Sequence, residues 1–163
     1  MSEEKVLTGK ETEIMQVGVI VKDLNKTIDF LTKLGLGPFD KFFASHPSAT
    51  VRGKKAAYSV ETAGSQLGAV QLELIEHQSG ETVQKEFLDE KGEGMHHILF
   101  RVSDLDATIE KFSKQGVQVL QQDRFVGGGG MAYMGTDDIG GMVIELVQYP
   151  DDFDPEKGLE YQA

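Results

Sequence analysis

Four side chains of this sequence have the types and placement to hold a metal ion: Gln16, Glu73, His97 and Glu145. Two carboxylates, one imidazole and one neutral amide form an N/O donor set whose charge balances a divalent cation. A carboxylate that faces inward from a central strand is costly to bury unless it is paired or bound to a cation. The bland alternative is a set of solvated residues on the open face of a sheet. Which of the two holds depends on whether the chain brings four residues so far apart into one place.

An internal repeat says that it does. Residues 94–102 alternate as a half-buried strand: Ile98, Phe100 and Val102 share one face, and His97, Leu99 and Arg101 share the other. When Gln16 is set on His97, residues 16–35 lie over 97–116 without a gap. Val21/Val102, Asp23/Asp104, Leu24/Leu105, Thr27/Thr108, Ile28/Ile109, Lys33/Lys114 and Gly35/Gly116 are identical. Asp23 and Asp104 stand where a helix N-cap is needed, and the two glycines stand where a left-handed C-terminal cap would end that helix. Further on, 70–76 matches 142–148, which sets Glu73 on Glu145. In both stretches the neighbouring apolar residues, Leu72 and Leu74 or Ile144 and Leu146, face away from the carboxylate. Each half therefore opens with a polar residue on a strand and closes with a glutamate on a strand. Folding two such units about a pseudo-two-fold axis would bring the four side chains together.

The elements follow from this repeat. Residues 1–12 read as a loose leader and 13–149 as one domain, with module one at 13–76, a linker at 77–93 and module two at 94–149. The spacing predicts strands at 14–22, 39–44, 55–60 and 69–76, a helix at 24–34 and a turn at 64–68. The linker carries helical spacing at 82–90. Module two reads as strand 95–102, helix 105–114, strand 117–121, a flexible glycine loop at 127–130, and strands 131–134 and 141–149. The acidic tail, 150–163, reads as a loose end or an arm on a neighbouring subunit. His96 alternates to the face opposite His97 and reads as structural, while His46 and His77 fall on predicted loops.

Charge and composition narrow the function. The formal net charge of -11 disfavours nucleic acid and anionic lipid as partners. With no cysteine there is no disulfide framework and no thiolate ligand or nucleophile. No apolar run approaches the roughly 18 residues of a membrane span, and the first residues lack the basic and apolar regions of a signal peptide. The expectation is a soluble cytoplasmic protein.

Over residues 13–149 the chain resembles the vicinal oxygen chelate superfamily, also called the glyoxalase/bleomycin resistance superfamily. The fold this implies is α+β, with paired βαβββ modules that curl their strands around a shared metal cleft. Within the superfamily, 86–100 and 140–150 are most similar to the linker helix, second-module opening and last strand of methylmalonyl-CoA epimerases. The resemblance implies one divalent metal ion, zinc, cobalt or nickel, at Gln16, Glu73, His97 and Glu145. It also implies proton abstraction beside a thioester carbonyl, with Glu145 as base and Glu73 as a second base, and a homodimer as the assembly.

The sequence departs from that pattern in places. Gln16 stands where the epimerases have His, and the resulting Gln/Glu/His/Glu set resembles glyoxalase I. Thr136-Asp137 replaces a Pro-Lys, and Ala56 stands where some epimerases carry a glutamate base. The substrate implied is an acyl-CoA, with the glutathione hemithioacetal of a glyoxalase I as the alternative. An Fe(II) dioxygenase and a non-catalytic small-molecule-binding protein of the same fold are further alternatives.

Overall fold

The computed structural model describes residues 5–163. Its first element is a 3-10 turn at Gly9–Thr12. Module one contributes β1 (Ile14–Ile20), α1 (Leu24–Lys33), β2 (Asp40–Val51), β3 (Lys54–Leu67) and β4 (Val70–Ser79). A linker helix, α2 (Val83–Lys91), leads to β5 (Gly94–Arg101), α3 (Leu105–Lys114), β6 (Val119–Arg124), β7 (Gly130–Met134) and β8 (Val143–Gln148).

The duplication read from the sequence is present in the hydrogen bonding. Asp23 caps α1 by accepting from Lys26 N–H at 2.9 Å, and Asp104 caps α3 by accepting from Ala107 N–H at 2.9 Å. The first helical N–H of α1, at Leu24, donates to Glu76 at 2.6 Å, and that of α3, at Leu105, donates to Gln148 at 2.8 Å. Glu76 and Gln148 are repeat equivalents, so each module ties its last strand to the start of its helix in the same way. Strand pairing repeats as well. β1 runs parallel to β4 with Gly18 opposite Glu73, and β5 runs parallel to β8 with Leu99 opposite Glu145.

The modules meet along β1 and β5, which are antiparallel, with Val17 opposite Ile98 between the pairs Gln16/Leu99 and Gly18/His97. The pseudo-two-fold axis passes there, between the two candidate ligand positions. The strands close into a barrel in the order β1-β4-β3-β2-β6-β7-β8-β5. The β2–β6 junction that completes it is short, made by Thr50 with Gln122 and Val51 with Gln121. The outer faces of β1, β4, β5 and β8 pack under a helix. Val19, Val21, Leu72 and Leu74 lie with Leu24, Ile28 and Leu31 of α1, and Ile98, Phe100, Ile144 and Leu146 lie with Leu105, Ile109 and Phe112 of α3. The other face points into the barrel, so alternation carries Glu73, His97 and Glu145 inward.

Several elements differ from expectation. β2 and β3 run well past 39–44 and 55–60, and the turn expected at 64–68 is reduced to the step at Gly68. The ladder to β4, with Gly64 opposite Glu73 and Ser65 opposite Leu72, holds this glycine- and serine-containing stretch extended against its local preference. His46 is therefore a buried β2 residue and not part of a loop. β6 starts later than 117, because Val117 caps α3 by donating to Phe112 C=O. The glycine loop is an ordered turn: Gly127, Gly128 and Gly129 have left-handed φ, and Gly130 begins β7.

The ends of the chain also differ. Of the expected leader, residues 1–4 lie outside the described part, while Val6 and Leu7 pack on the α3 cluster. The acidic tail folds back on its own chain. Phe125 bridges to Tyr161, Val126 N–H donates to Glu160 C=O, and Gln162 N–H donates to Arg124 C=O. Among the described residues, no helix is long and apolar enough to cross a membrane.

Candidate functional site

Glu73 from β4, His97 from β5 and Glu145 from β8 converge inside the barrel. His97 Nε2 lies 2.9 Å from Glu145 Oε2 and 3.9 Å from Glu73 Oε2, and the histidine is fully buried. His97 Nε2 and Glu145 Oε2 are buried and make no hydrogen bond despite that approach. Two orphaned polar atoms facing each other in a core are an unstable arrangement on their own. Burial, together with the charge of Glu145, pushes the Glu73 carboxyl up to about 7, and His97 opposes the shift.

Gln16 is placed differently. Its side chain lies over β4, where Nε2 donates to Gln71 Oε1 at 2.7 Å. The repeat explains the asymmetry. A Cβ on Gly18 would stand 1.9 Å from His97 Cε1 and 2.2 Å from Nε2, so the glycine makes the room in which the imidazole sits. The equivalent position in module two is Leu99, directly opposite Gln16. The second module therefore leaves no matching space, and the amide turns to Gln71.

His96 departs from the expected alternation. The β1–β5 register steps from Gly18/His97 to Val19/Met95, which leaves His96 as the extra residue of a bulge. Both consecutive histidines are consequently buried. Their Nδ1 atoms are 3.0 Å apart, and the His96 ring also packs edge-on to Phe87 and Tyr133. Burial, then His97 and Lys91, lower the His96 pKa to about 3. A neutral His96 can accept a hydrogen bond from His97 Nδ1–H, which leaves the His97 lone pair on Nε2, the nitrogen that faces the carboxylates.

The rest of the lumen is polar and aromatic. Gln84 donates to Tyr133 OH at 3.0 Å, and Gln121 donates to Tyr58 OH at 3.0 Å and contacts Gln84 at 3.4 Å. His46 and Asp123 form a further buried pair at 2.8 Å. Neither belongs to a motif; they come from β2 and β6, and only the barrel's closure brings them together. Burial, then the charge of Glu145, raises the phenols of Tyr133 and Tyr161 well above their usual value and Tyr149 to about 12; burial, then Tyr161 and Asp123, raises Tyr58 likewise.

A metal ion fits this site by donor chemistry, although the site is not closed as a cage. Among the described residues, no group of three or more His, Cys, Asp or Glu is arranged to hold a metal ion. The two orphaned atoms are an imidazole nitrogen and a carboxylate oxygen, the donors preferred by borderline divalent cations. Their 2.9 Å separation matches the roughly 3 Å expected between adjacent ligands at ordinary metal–ligand distances.

The model of the Glyoxalase/Bleomycin resistance protein/Dioxygenase superfamily matches residues 15–134. A Bacillus subtilis (strain 168) protein named YqjC, itself uncharacterised, is 34% identical over 93 residues; the match spans 55% of this chain and 65% of that one, just under two thirds. Among solved structures, methylmalonyl-CoA epimerase from Mycobacterium tuberculosis is 26% identical with a TM-score of 0.58, over 92% of this chain and 93% of that one. A Streptomyces coelicolor methylmalonyl-CoA epimerase variant in complex with 2-nitronate-propionyl-CoA is 25% identical, also with a TM-score of 0.58, over 88% of this chain and 99% of that one.

Proposed function

The chain belongs to the glyoxalase/bleomycin resistance protein/dioxygenase superfamily, and on that premise we propose that it is a metal-dependent isomerase that moves the proton beside a thioester carbonyl. An acyl-CoA of the methylmalonyl type is the proposed substrate. The observation that carries this reading is the convergence of Glu73 and Glu145 on His97 Nε2, with two buried donor atoms left unpaired. The likeness to methylmalonyl-CoA epimerases over most of the chain favours the acyl-CoA over other substrates.

In this reading His97, Glu145 and Glu73 hold one divalent ion, zinc, cobalt or nickel, and Gln16 contributes at most through its free carbonyl oxygen. The ion, when bound, supplies a Lewis acid for the developing enolate charge. The protein's own groups do the rest. His97 is fixed on one side by Gly18 and on the other by His96, so its lone pair points at the carboxylates. Glu145 takes the C–H proton. Glu73, the second carboxylate at the site, returns a proton to the intermediate. The closed strands and the buried Tyr58 and Tyr133 shield the interior from bulk water.

We also propose a homodimer in the cytoplasm. Among the described residues, 40–49 of β2 pair only with β3 and leave one edge open, beside the exposed Phe42 and Phe43.

The test is turnover by one metal-loaded preparation offered two substrates. Conversion of a single methylmalonyl-CoA epimer into the other C2 epimer supports the proposal. Conversion of the glutathione hemithioacetal of methylglyoxal instead would make the protein a glyoxalase I, which the Gln/Glu/His/Glu set also suits. Turnover of neither would point to an Fe(II) dioxygenase or to a binding protein of the same fold.

A further inference from the structure

We infer that His46 and Asp123 form a second proton-transfer pair in the barrel, with His46 Nε2 as the catalytic atom and Asp123 as a positioning residue. It would serve the substrate face turned away from Glu145. The inference rests on the isomerase reading above and adds to it a base that the ion would not occupy. Glu73 and Glu145 both converge on the same nitrogen of His97, where the proposed ion would take up both carboxylates. Inverting a carbon centre needs a proton removed from one face of a planar intermediate and delivered to the other. The position at which the resemblance expects a further glutamate base holds Ala56.

The pair has the geometry of an oriented imidazole. His46 Nδ1 and Asp123 Oδ2 are 2.8 Å apart, and both residues are almost entirely buried. Asp123 Oδ1 accepts from Arg124 N–H at 2.8 Å, so the carboxylate is held at both oxygens. A carboxylate only accepts, so His46 Nδ1 carries the proton and the lone pair of the neutral ring lies on Nε2. The ring's hydrogen bond to Asp123 is made through Nδ1. The ring stacks on Tyr58 at 4.1 Å and lies against Tyr161, on the folded-back tail, at 3.7 Å. Its surroundings connect with the first site through Tyr58, Gln121, Gln84 and Tyr133, whose ring is 5.0 Å from that of His97.

The step balances without a co-reactant. His46 Nε2 takes the proton from C2, and the C–H electron pair passes into the enolate. Asp123 stabilises the imidazolium that forms. A proton delivered from the Glu145 side completes inversion, and the opposite epimer uses the same groups in reverse order.

The test resolves exchange by face. Each C2 epimer of methylmalonyl-CoA is incubated with metal-loaded protein in deuterated buffer, and initial deuterium incorporation is measured. Wild type exchanges both epimers. His46→Gln is expected to slow exchange of one epimer by about 100-fold and to leave the other within about threefold, with inversion falling alongside. Asp123→Asn is expected to impair the same epimer, because an amide favours the wrong tautomer of His46. Folded His46→Gln protein that exchanges both epimers at wild-type rates would overturn the inference. If His46→Gln does not fold, Asp123→Asn decides: equal loss at both epimers would assign the pair to holding the barrel shut. Wild type that exchanges neither epimer would sink the isomerase reading itself, and this inference with it.

Discussion

Gly18→Ala is the smallest change that should disable the site. Gly18 does not have a left-handed φ, so the backbone tolerates alanine and only space is at issue. The added Cβ would stand 1.9 Å from His97 Cε1, where ordinary contact begins at 3.4 Å, so the ring must retreat by about 1.5 Å. It has nowhere to go. His97 is fully buried, its Nδ1 is 3.0 Å from His96 and its Nε2 is 2.9 Å from Glu145. Overpacking of this kind costs about 1–3 kcal/mol, and the lost His96–His97 hydrogen bond adds about 1 kcal/mol.

For a chain of this length a loss of about 2–4 kcal/mol lowers Tm by roughly 5–15 °C. Calorimetry of the metal-free protein reads it directly. The decisive control is a double-mutant cycle with His97→Ala, which removes the ring the Cβ would strike. In that background Gly18→Ala should cost less than about 0.5 kcal/mol. An equal cost in both backgrounds would show that the glycine is not there to make room for the imidazole.

Three further outcomes follow from the same geometry. The Glu73 carboxyl is raised from an ordinary value to about 7, so the folded state holds its proton more tightly than the unfolded state. Its contribution to stability is full below about pH 4.5 and is lost as pH rises through 7; calorimetry of chelator-treated protein should show Tm falling over that window, with a smaller fall in Glu73→Gln. His97→Ala and Glu145→Ala should each weaken zinc binding by more than about 100-fold while circular dichroism is unchanged, and Gln16→His should tighten it; stoichiometric zinc retained in both alanine variants would refute the ligand assignment. Light scattering should give a dimer mass at micromolar protein and a monomer mass for Phe43→Asp, since Phe43 is 68% exposed beside the open stretch of β2; a wild-type monomer would contradict the proposed interface.

The repeat made most of the fold readable, because it aligned both the polar positions and the helix caps without a gap. Asp23 and Asp104 cap as expected, and Glu73 and Glu145 fall in equivalent registers. Alternation failed where the backbone departs from regular pleating. The bulge at His96 turns two neighbouring histidines inward, and nothing in Met-His-His-Ile signals it. Gln16 was placed beside His97 by the alignment, but the alignment could not weigh Gly18 against Leu99, the pair that decides which module has room for a ring. His46 and Asp123 could not be seen together at all. They are 77 positions apart on strands that meet only at the short β2–β6 junction, and the proline after His46 reads locally as a break. The tail's acidity suggested a free end, yet its backbone hydrogen bonds to 124–126 fix it without involving side-chain charge.

The central claim is that the buried carboxylates make a C–H beside a thioester carbonyl exchangeable. Solvent exchange at C2 tests this without requiring net turnover. Equilibrated methylmalonyl-CoA, incubated in deuterated buffer with the metal-loaded protein, should gain deuterium at C2 well above the buffer rate. Glu145→Gln should suppress that gain for the epimer whose C–H faces Glu145 while retaining much of the metal, because an amide oxygen can still ligate but cannot take up the proton. Deuterium incorporation by wild type no faster than buffer alone, with the metal shown to be bound, would contradict the account.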